Sequence, residues 1–247
     1  MEPERSRKSS FLTFIEGSSI PSWDNPGVLA YWPDVQYKTY PRLPKIPLPA
    51  PEKKLGASLG FVLEHRTSST SFQMGEISLV ELSTLLWASL GFQQLQGDIA
   101  RDREHRVYPS AGARYPIEAY IVLKRCRDFS PGLYHYSVPE HALELLVEKD
   151  VEPQLALALN DKRVHEMAGA LILTACYGRT VEKYGERGYR YCLIEIGHIA
   201  QNIYLASTAL GLQCCSVGGF VDDSLQEMLD LDKETERALC IVLIGGK

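Results

Sequence analysis

Apolar positions along this chain change period several times, and each change marks an element. Ser78-x-x-Glu81 forms a capping box, in which a hydroxyl and a carboxylate satisfy each other's orphan amides. Behind it Leu82, Leu85, Leu86 and Leu90 fall on one helical face, and Gly91 supplies the stop. Residues 117–123 (IEAYIVL) are β-branched and aromatic and predict a strand, while 133–136 and 143–147 flank Pro139-Glu140-His141 as a hairpin. A short helix is expected over 155–159 and a buried strand over 170–177. The longest periodic stretch runs from 190 to 210, with Cys192, Ile196, Ile199, Ile203 and Ala206 on one face. Leu193, Ala200 and Leu210 widen that face, and Gly211 ends it. So broad an apolar surface suits a central helix covered on several sides, including across a dimer interface. A short helix over 223–231 and a last buried strand over 238–244 follow. The mixed order of strands and helices predicts an α+β or α/β layer fold in one compact domain.

The first 55 residues differ from the rest. Nine of the fourteen prolines lie in residues 1–51, and the alternation of Pro47, Pro49 and Pro51 favours extended backbone and excludes helix. The same stretch holds Phe11, Phe14, Trp23, Tyr31, Trp32, Tyr37 and Tyr40. Disordered tails lack aromatics, so residues 1–55 are read as an arm that wraps over the folded body or a partner subunit, and 56–247 as the body itself. With 26 basic against 31 acidic residues the net charge is −5, which argues against a broad phosphate-neutralising face for nucleic acid. No run of 18 apolar residues and no signal-like start is present, so no membrane association and a cytoplasmic location are expected. The six cysteines form no C-x-x-C pair and have no histidine at finger spacing, so neither zinc nor another metal is expected. Cys176, Cys192 and Cys240 sit in apolar runs and read as buried reduced thiols.

Several chemistries are absent from the motifs. There is no G-x-G-x-x-G, no P-loop and no G-x-S-x-G. Glu195-x-x-His198 has di-iron spacing but no second copy, and is read as a polar helix contact. Four segments do combine small or polar residues with the means to hold an anionic, planar ligand. His65 to Phe72 (HRTSSTSF) places a guanidinium before hydroxyls, suited to forked bonds with a phosphate. Tyr108 to Pro116 (YPSAGARYP) is stiffened by two prolines, while Ala111, Gly112 and Ala113 let a flat ring approach the backbone and Arg114 can meet a ligand oxygen. The upstream Arg101, Arg103 and Arg106 alternate with Asp102 and Glu104 and read as a solvated face. Tyr177 to Tyr189 brings Lys183 and Tyr184 between glycines, where either can move a proton. Ser216 to Phe220 (SVGGF) exposes glycine amides ahead of a helix, a setting that stabilises negative charge. Taken singly, these also read as a capped polar loop, a surface loop with routine charges and a tight turn.

Together they resemble the nitroreductase family of FMN proteins, most closely its SagB-type branch, dehydrogenases that oxidise azolines to azoles in peptide natural-product pathways. YPSAGARYP at 108–116, GLYHY at 132–136, EKYGERGYR at 182–190 and EIGHIAQN at 195–202 look like that branch's motifs in order, and Lys38-Thr39-Tyr40-Pro41 is similar to its N-terminal region. The resemblance covers about residues 10–247 and implies a nitroreductase-like α+β fold. Such a fold has a mostly antiparallel central sheet flanked by helices, in an intertwined homodimer with FMN between subunits. Carried over by residue, Arg66, Thr67, Ser68 and Thr70 match phosphate and ring-edge positions. Ser110, Ala111 and Gly112, with Arg114, match the loop under the flavin; Val217, Gly218 and Gly219 match the backbone near flavin N5. Lys183-Tyr184 aligns with a pair implicated in azoline oxidation. Thr70 stands where the family often has a second basic residue, and Lys247 stands in for a basic residue of a C-terminal extension.

The expected activity is therefore oxidation of a thiazoline or oxazoline in a peptide or carrier-bound substrate. Hydride passes to FMN, a proton to Lys183 or Tyr184, and electrons onward to oxygen, with cyclodehydratase partners presenting the substrate. An NAD(P)H-dependent nitro- or quinone reductase on the same fold, and a non-catalytic scaffold of a biosynthetic complex, are the alternatives.

Overall fold

The computed structural model describes residues 10–19, 37–93 and 105–247. Trp23, Tyr31, Trp32, Arg101 and Arg103 lie outside the described residues. Seven strands form one sheet: β1 (Lys45–Pro47), β2 (Ile117–Leu123), β3 (Gly132–Ser137), β4 (Ala142–Val147), β5 (Gly169–Cys176), β6 (Gln213–Val217) and β7 (Glu236–Gly245). Their order is β1-β4-β3-β2-β5-β7-β6, and every neighbouring pair is antiparallel. The fold is therefore α+β, as the resemblance implied, and the α/β alternative left open by the element order falls away.

Every residue of β2 is buried, because β3 and β5 flank it in the sheet and helices cover both faces. Ile117, Ala119, Ile121 and Leu123 point into a core shared with α3 (Leu79–Leu90) and α7 (Arg187–Leu210). Tyr120 and Val122 point into a second core with α4 (Glu152–Leu159), α5 (Arg163–Glu166) and α8 (Asp222–Leu229). The capping box of α3 forms as read, with the Glu81 amide donating to Ser78 Oγ at 3.2 Å and the Ser78 amide donating to Glu81 Oε2 at 2.9 Å. α7 starts three residues earlier than its periodicity indicated and stops at Gly211, whose φ of +70° a side chain would resist.

Two readings change. The stretch between β5 and α7 contains a helix, α6 (Gly178–Tyr184), turned into α7 by Gly185 at φ +57°. Arg106 is not on a solvated face. It is 2% exposed and its guanidinium lies 5.0–6.0 Å from the ring centres of Tyr37, Phe92, Tyr108 and Tyr115. Alternating charge suggested solvent, but an aromatic cage can stabilise a cation inside the fold.

The described parts of the arm rest on the chain's own body. α1 (Ser10–Gly17) docks through Phe14 against Tyr189 and through Arg187 and Arg190, which donate to the carbonyl and hydroxyl of Ser18. Lys38 reaches Glu236 and Tyr120, both at 2.6 Å, and β1 adds the arm to the sheet edge beside β4. All six cysteines are free thiols, four of them buried. Among the described residues no helix is long and apolar enough to cross a membrane.

Candidate active site

The first and fourth segments meet at a residue the sequence did not single out. Helix α2 (Leu59–His65) ends at Arg66, whose guanidinium lies 5.3 Å from the ring centre of Tyr204 on α7. The Tyr204 hydroxyl shares a hydrogen bond with Ser68 Oγ at 2.9 Å and accepts one from the Ser216 amide at 2.8 Å. Ser69 donates its amide to the Cys214 carbonyl, so the loop after α2 runs against β6. One phenol thus fixes the phosphate-type segment to the strand that delivers Gly218 and Gly219. Both glycines are exposed, and a side chain built on either would meet open space. The helix that follows, α8, carries an acidic first turn just beyond.

The second and third segments meet at Gly112. Residues 108–116 form a tight loop with a 3-10 turn at Ala111–Ala113, in which Gly112, Ala113 and Tyr115 take φ values of +62°, +54° and +45°. Such values cost non-glycine residues energy and persist only where neighbours hold them. Three ties do so: the Tyr115 amide donates to Ser110 Oγ at 2.9 Å, Arg114 Nε to the Arg179 carbonyl at 2.7 Å, and Arg179 Nη1 to the Tyr115 carbonyl at 3.0 Å. A Cβ on Gly112 would lie 2.5 Å from Tyr184 Oη and 2.6 Å from Lys183 Nζ. Only glycine permits that approach. Lys183 is 8% exposed, with its ammonium 5.2 Å from the Tyr184 ring centre.

α7 carries both clusters. Tyr204 serves the first, and Glu195, nine residues earlier and so about 14 Å back along the axis, lies near Ser110 of the second. Glu195 is 2% exposed while His198 is exposed, so the i, i+3 pair does not act as one contact. Among the described residues no group of three side chains is placed to hold a metal. Burial drives the Glu195 carboxyl up to about 8 against the opposing pull of its hydrogen bond with Ser110 and the charges of Arg106 and Arg179. Its Oε1 has no hydrogen-bond partner among the described residues, nor have Nε and Nη2 of Arg106.

The remaining residues singled out in the sequence lie in several places. Thr67 and Thr70 are exposed on the loop after α2, and Val217 ends β6 next to Gly218. Arg114 is buried and faces α6 through its Nε. Lys247 Nζ pairs with Glu81 Oε1 at 2.7 Å, at the start of α3. The open Gly218–Gly219 backbone, the Gly112 cradle that a methyl group would fill, and a cation beside a hydroxyl-bearing loop fit a planar ring carrying a phosphate. Sequence reasoning missed Tyr204 and Arg106. The available signal for Tyr204 was a phenol at the margin of an apolar helical stripe, which needs a polar partner once buried.

The fold and these paired loops define a layered α+β protein with two side-chain clusters along α7. The sequence model of the nitroreductase family matches residues 63–246, and the chain belongs to that family. It is 36% identical over 187 residues to the protein MJ1384 of Methanocaldococcus jannaschii, itself named among the nitroreductases, covering 75% of this chain and 89% of that one. Trifolitoxin-processing protein TfxB of Rhizobium leguminosarum bv. trifolii is 26% identical, over 81% of this chain and 54% of its own. Microcin B17-processing protein McbC of Escherichia coli is 30% identical, over 57% and 54% respectively. The chain thus spans about half the length of these two processing proteins. Among solved structures, the E. coli microcin synthetase McbBCD complex with truncated pro-MccB17 bound matches with a TM-score of 0.62 at 26% identity, over 73% of this chain and 68% of that one. A Ralstonia eutropha protein classed with the nitroreductases matches with a TM-score of 0.66 at 26% identity, over 89% and 96%. These likenesses support the SagB-type branch within the family.

Proposed function

We propose that this protein is an FMN-dependent dehydrogenase that oxidises thiazoline or oxazoline rings, in a peptide or carrier-bound substrate, to azoles. The observation that carries the reading is the convergence of the Lys183 ammonium and the Tyr184 phenol on the backbone of Gly112. Two relatives named for peptide-toxin processing support the substrate class. Bound FMN would supply a hydride acceptor at N5, with molecular oxygen as the final electron sink. Arg66 and the hydroxyls of Thr67, Ser68 and Thr70 would hold the phosphate, and the Gly218–Gly219 amides would favour negative charge on the ring edge. The Ser110–Gly112 backbone would lie under the ring. Oxidation removes a hydride from one ring carbon of the azoline and a proton from its neighbour; Lys183 or Tyr184 takes the proton.

A second copy of the chain would complete the site. The two clusters are separated along α7, and Leu193 and Ile194 on α7 stand exposed, as do Leu59, Phe61 and Leu63 on α2, which packs against it. A homodimer would cover those side chains and bring one protomer's Arg66–Gly219 cluster to its partner's Gly112 cluster. Cyclodehydratase partners would present the substrate.

Lys183→Ala tests the assignment of the base. The variant should retain bound yellow FMN and lose turnover by roughly 100-fold or more, the scale of a general base. Unchanged turnover removes Lys183 from the chemistry. Rapid bleaching of the flavin by NADPH with no azole formed would favour a nitro- or quinone reductase instead.

A further inference from the structure

Two arginines join the 110–116 loop to α6 in a reciprocal clasp. The β2–β5 ladder ends at Ile117 and Ala175, and one more bond, from the Cys176 amide to the Pro116 carbonyl at 2.8 Å, carries it past the sheet. Beyond that point Arg114 Nε donates to the Arg179 carbonyl at 2.7 Å, and Arg179 Nη1 donates back to the Tyr115 carbonyl at 3.0 Å. Each side chain grips the other's backbone. Arg179 Nη2 also pairs with Glu118 Oε1 at 2.5 Å, and His135 Nε2 lies 3.1 Å from the other oxygen of that carboxylate. The fork is thus fixed from the sheet. Lys183 stands four residues after Arg179 on α6, so it shares that face of the helix about 6 Å further along. Gly112 stands three residues before Tyr115, and a Cβ there would lie 2.6 Å from Lys183 Nζ and 2.5 Å from Tyr184 Oη. Helix and loop therefore meet at two successive levels, the clasp and then the approach to Gly112.

We propose that Arg114 and Arg179 are positioning residues, a clasp that sets the register between α6 and the 110–116 loop and so holds Lys183 and Tyr184 against Gly112. Both levels of contact belong to one short helix, so a shift at the clasp carries the ammonium and the phenol with it. The loop does not hold itself. Gly112, Ala113 and Tyr115 all take positive φ, which costs energy at the two that are not glycine and persists only where neighbours fix it. The sequence suggested Arg114 as a partner for a ligand oxygen, but its side chain is buried and its Nε is directed at a backbone carbonyl of α6. For catalysis the inference rests on the reading of the preceding subsection; for the geometry it rests on the fold alone.

Two full-length variants test it. Arg114→Met keeps an unbranched side chain and removes the donors, while Arg179→Lys keeps a cation beside Glu118, and with it the fold, without the planar fork. In flavin-free protein the amides of residues 113–115, which donate to Ser110 and Ala111, should exchange about tenfold faster in both variants than in the parent. Lys183 should likewise react about tenfold faster with acetic anhydride, with the amides of β2 unchanged. Exchange or labelling at the parent's rate in either variant overturns the proposal. In FMN-loaded protein each substitution should lower kcat on a thiazoline peptide by roughly 10–100-fold, with KM and the FMN Kd within about twofold. In a Lys183→Ala, Tyr184→Phe background the turnover that remains should fall by less than about twofold more, since the clasp acts through those two residues. Losses that multiply in that background overturn the positioning role. So does a tenfold or greater rise in the FMN Kd of Arg114→Met, which would assign that guanidinium to the cofactor. A parent that binds no FMN or leaves the thiazoline intact, while both variants exchange and label fast, supports the clasp and overturns the reading of the preceding subsection.

Discussion

Glu118 and Glu195 are buried almost equally, at 4% and 2% exposure, face the same two arginines, and titrate in opposite directions. Burial pushes both upward. For Glu118 it is outweighed by the His135 hydrogen bond at 3.1 Å, by Arg179 at 2.5 Å and by the charge of Arg106, which hold the carboxyl down to about 2. For Glu195 no cation comes into contact among the described residues and one oxygen stays unpartnered there, so burial wins. The contrast shows that partner count, more than depth, decides whether an interior acid is an anion. It also separates roles. Glu118 anchors a network through His135 to Glu144, Tyr40 and Lys45, with Lys38 donating its amide to Glu118, and so ties the arm to the sheet. Glu195 lies on α7 beside Ser110 of the 108–116 loop.

The largest effect should come from breaking the partnered acid. Glu118→Gln leaves His135 and Arg179 buried beside a neutral amide and should cost about 3–5 kcal/mol in denaturant unfolding near pH 6. Glu195→Gln should not destabilise at that pH, and equal losses would dissolve the contrast. The pH dependence has a sign for each group. Glu118, depressed to about 2, contributes stability that is full above about pH 4.5 and lost as pH falls through its folded value. His135 is raised by Glu118 and Glu144 against its own burial, so its contribution is present below about pH 6.5 and lost on raising pH through its folded value. Glu195, raised to about 8, contributes stability that is lost as pH climbs from about 4.5 to 8, and Glu195→Gln should flatten that slope in thermal unfolding.

A smaller effect is expected at Tyr204, where partners again decide. Tyr204→Phe leaves the Ser216 amide and Ser68 hydroxyl without their shared oxygen and should weaken FMN binding by about 5–30-fold, or about 1–2 kcal/mol. An unchanged dissociation constant would mean that Tyr204 does not order the Arg66 loop. The smallest is at Lys247. Its ammonium is half exposed and engaged by Glu81, so Lys247→Ala should change FMN affinity by no more than about threefold. A larger loss would restore Lys247 to the candidate cofactor-binding residues.

Much of the fold was legible because hydrophobic period and caps are local signals. Ser78, Glu81 and Gly91 bound α3 as read, and IEAYIVL is β2 residue for residue. The site was legible as four segments of suitable chemistry, yet their pairing was not. Which loop meets which depends on Tyr204 and Gly112, contacts between residues 136 and about 70 positions apart that no local pattern encodes. Buried charge was the least legible. Arg106 looked solvated beside Asp102 and Glu104, and Glu118 is a single acid within an apolar strand. Each is interior because distant side chains receive it, the four rings around Arg106 and His135 with Arg179 around Glu118.

The most direct measurement is mass spectrometry of a thiazoline-containing peptide incubated with the FMN-loaded protein in air. The account predicts loss of two hydrogens per ring, with loss of the signal in Lys183→Ala although flavin stays bound. A flavin-loaded protein that leaves the ring mass unchanged, across peptides and with a cyclodehydratase present, would contradict it.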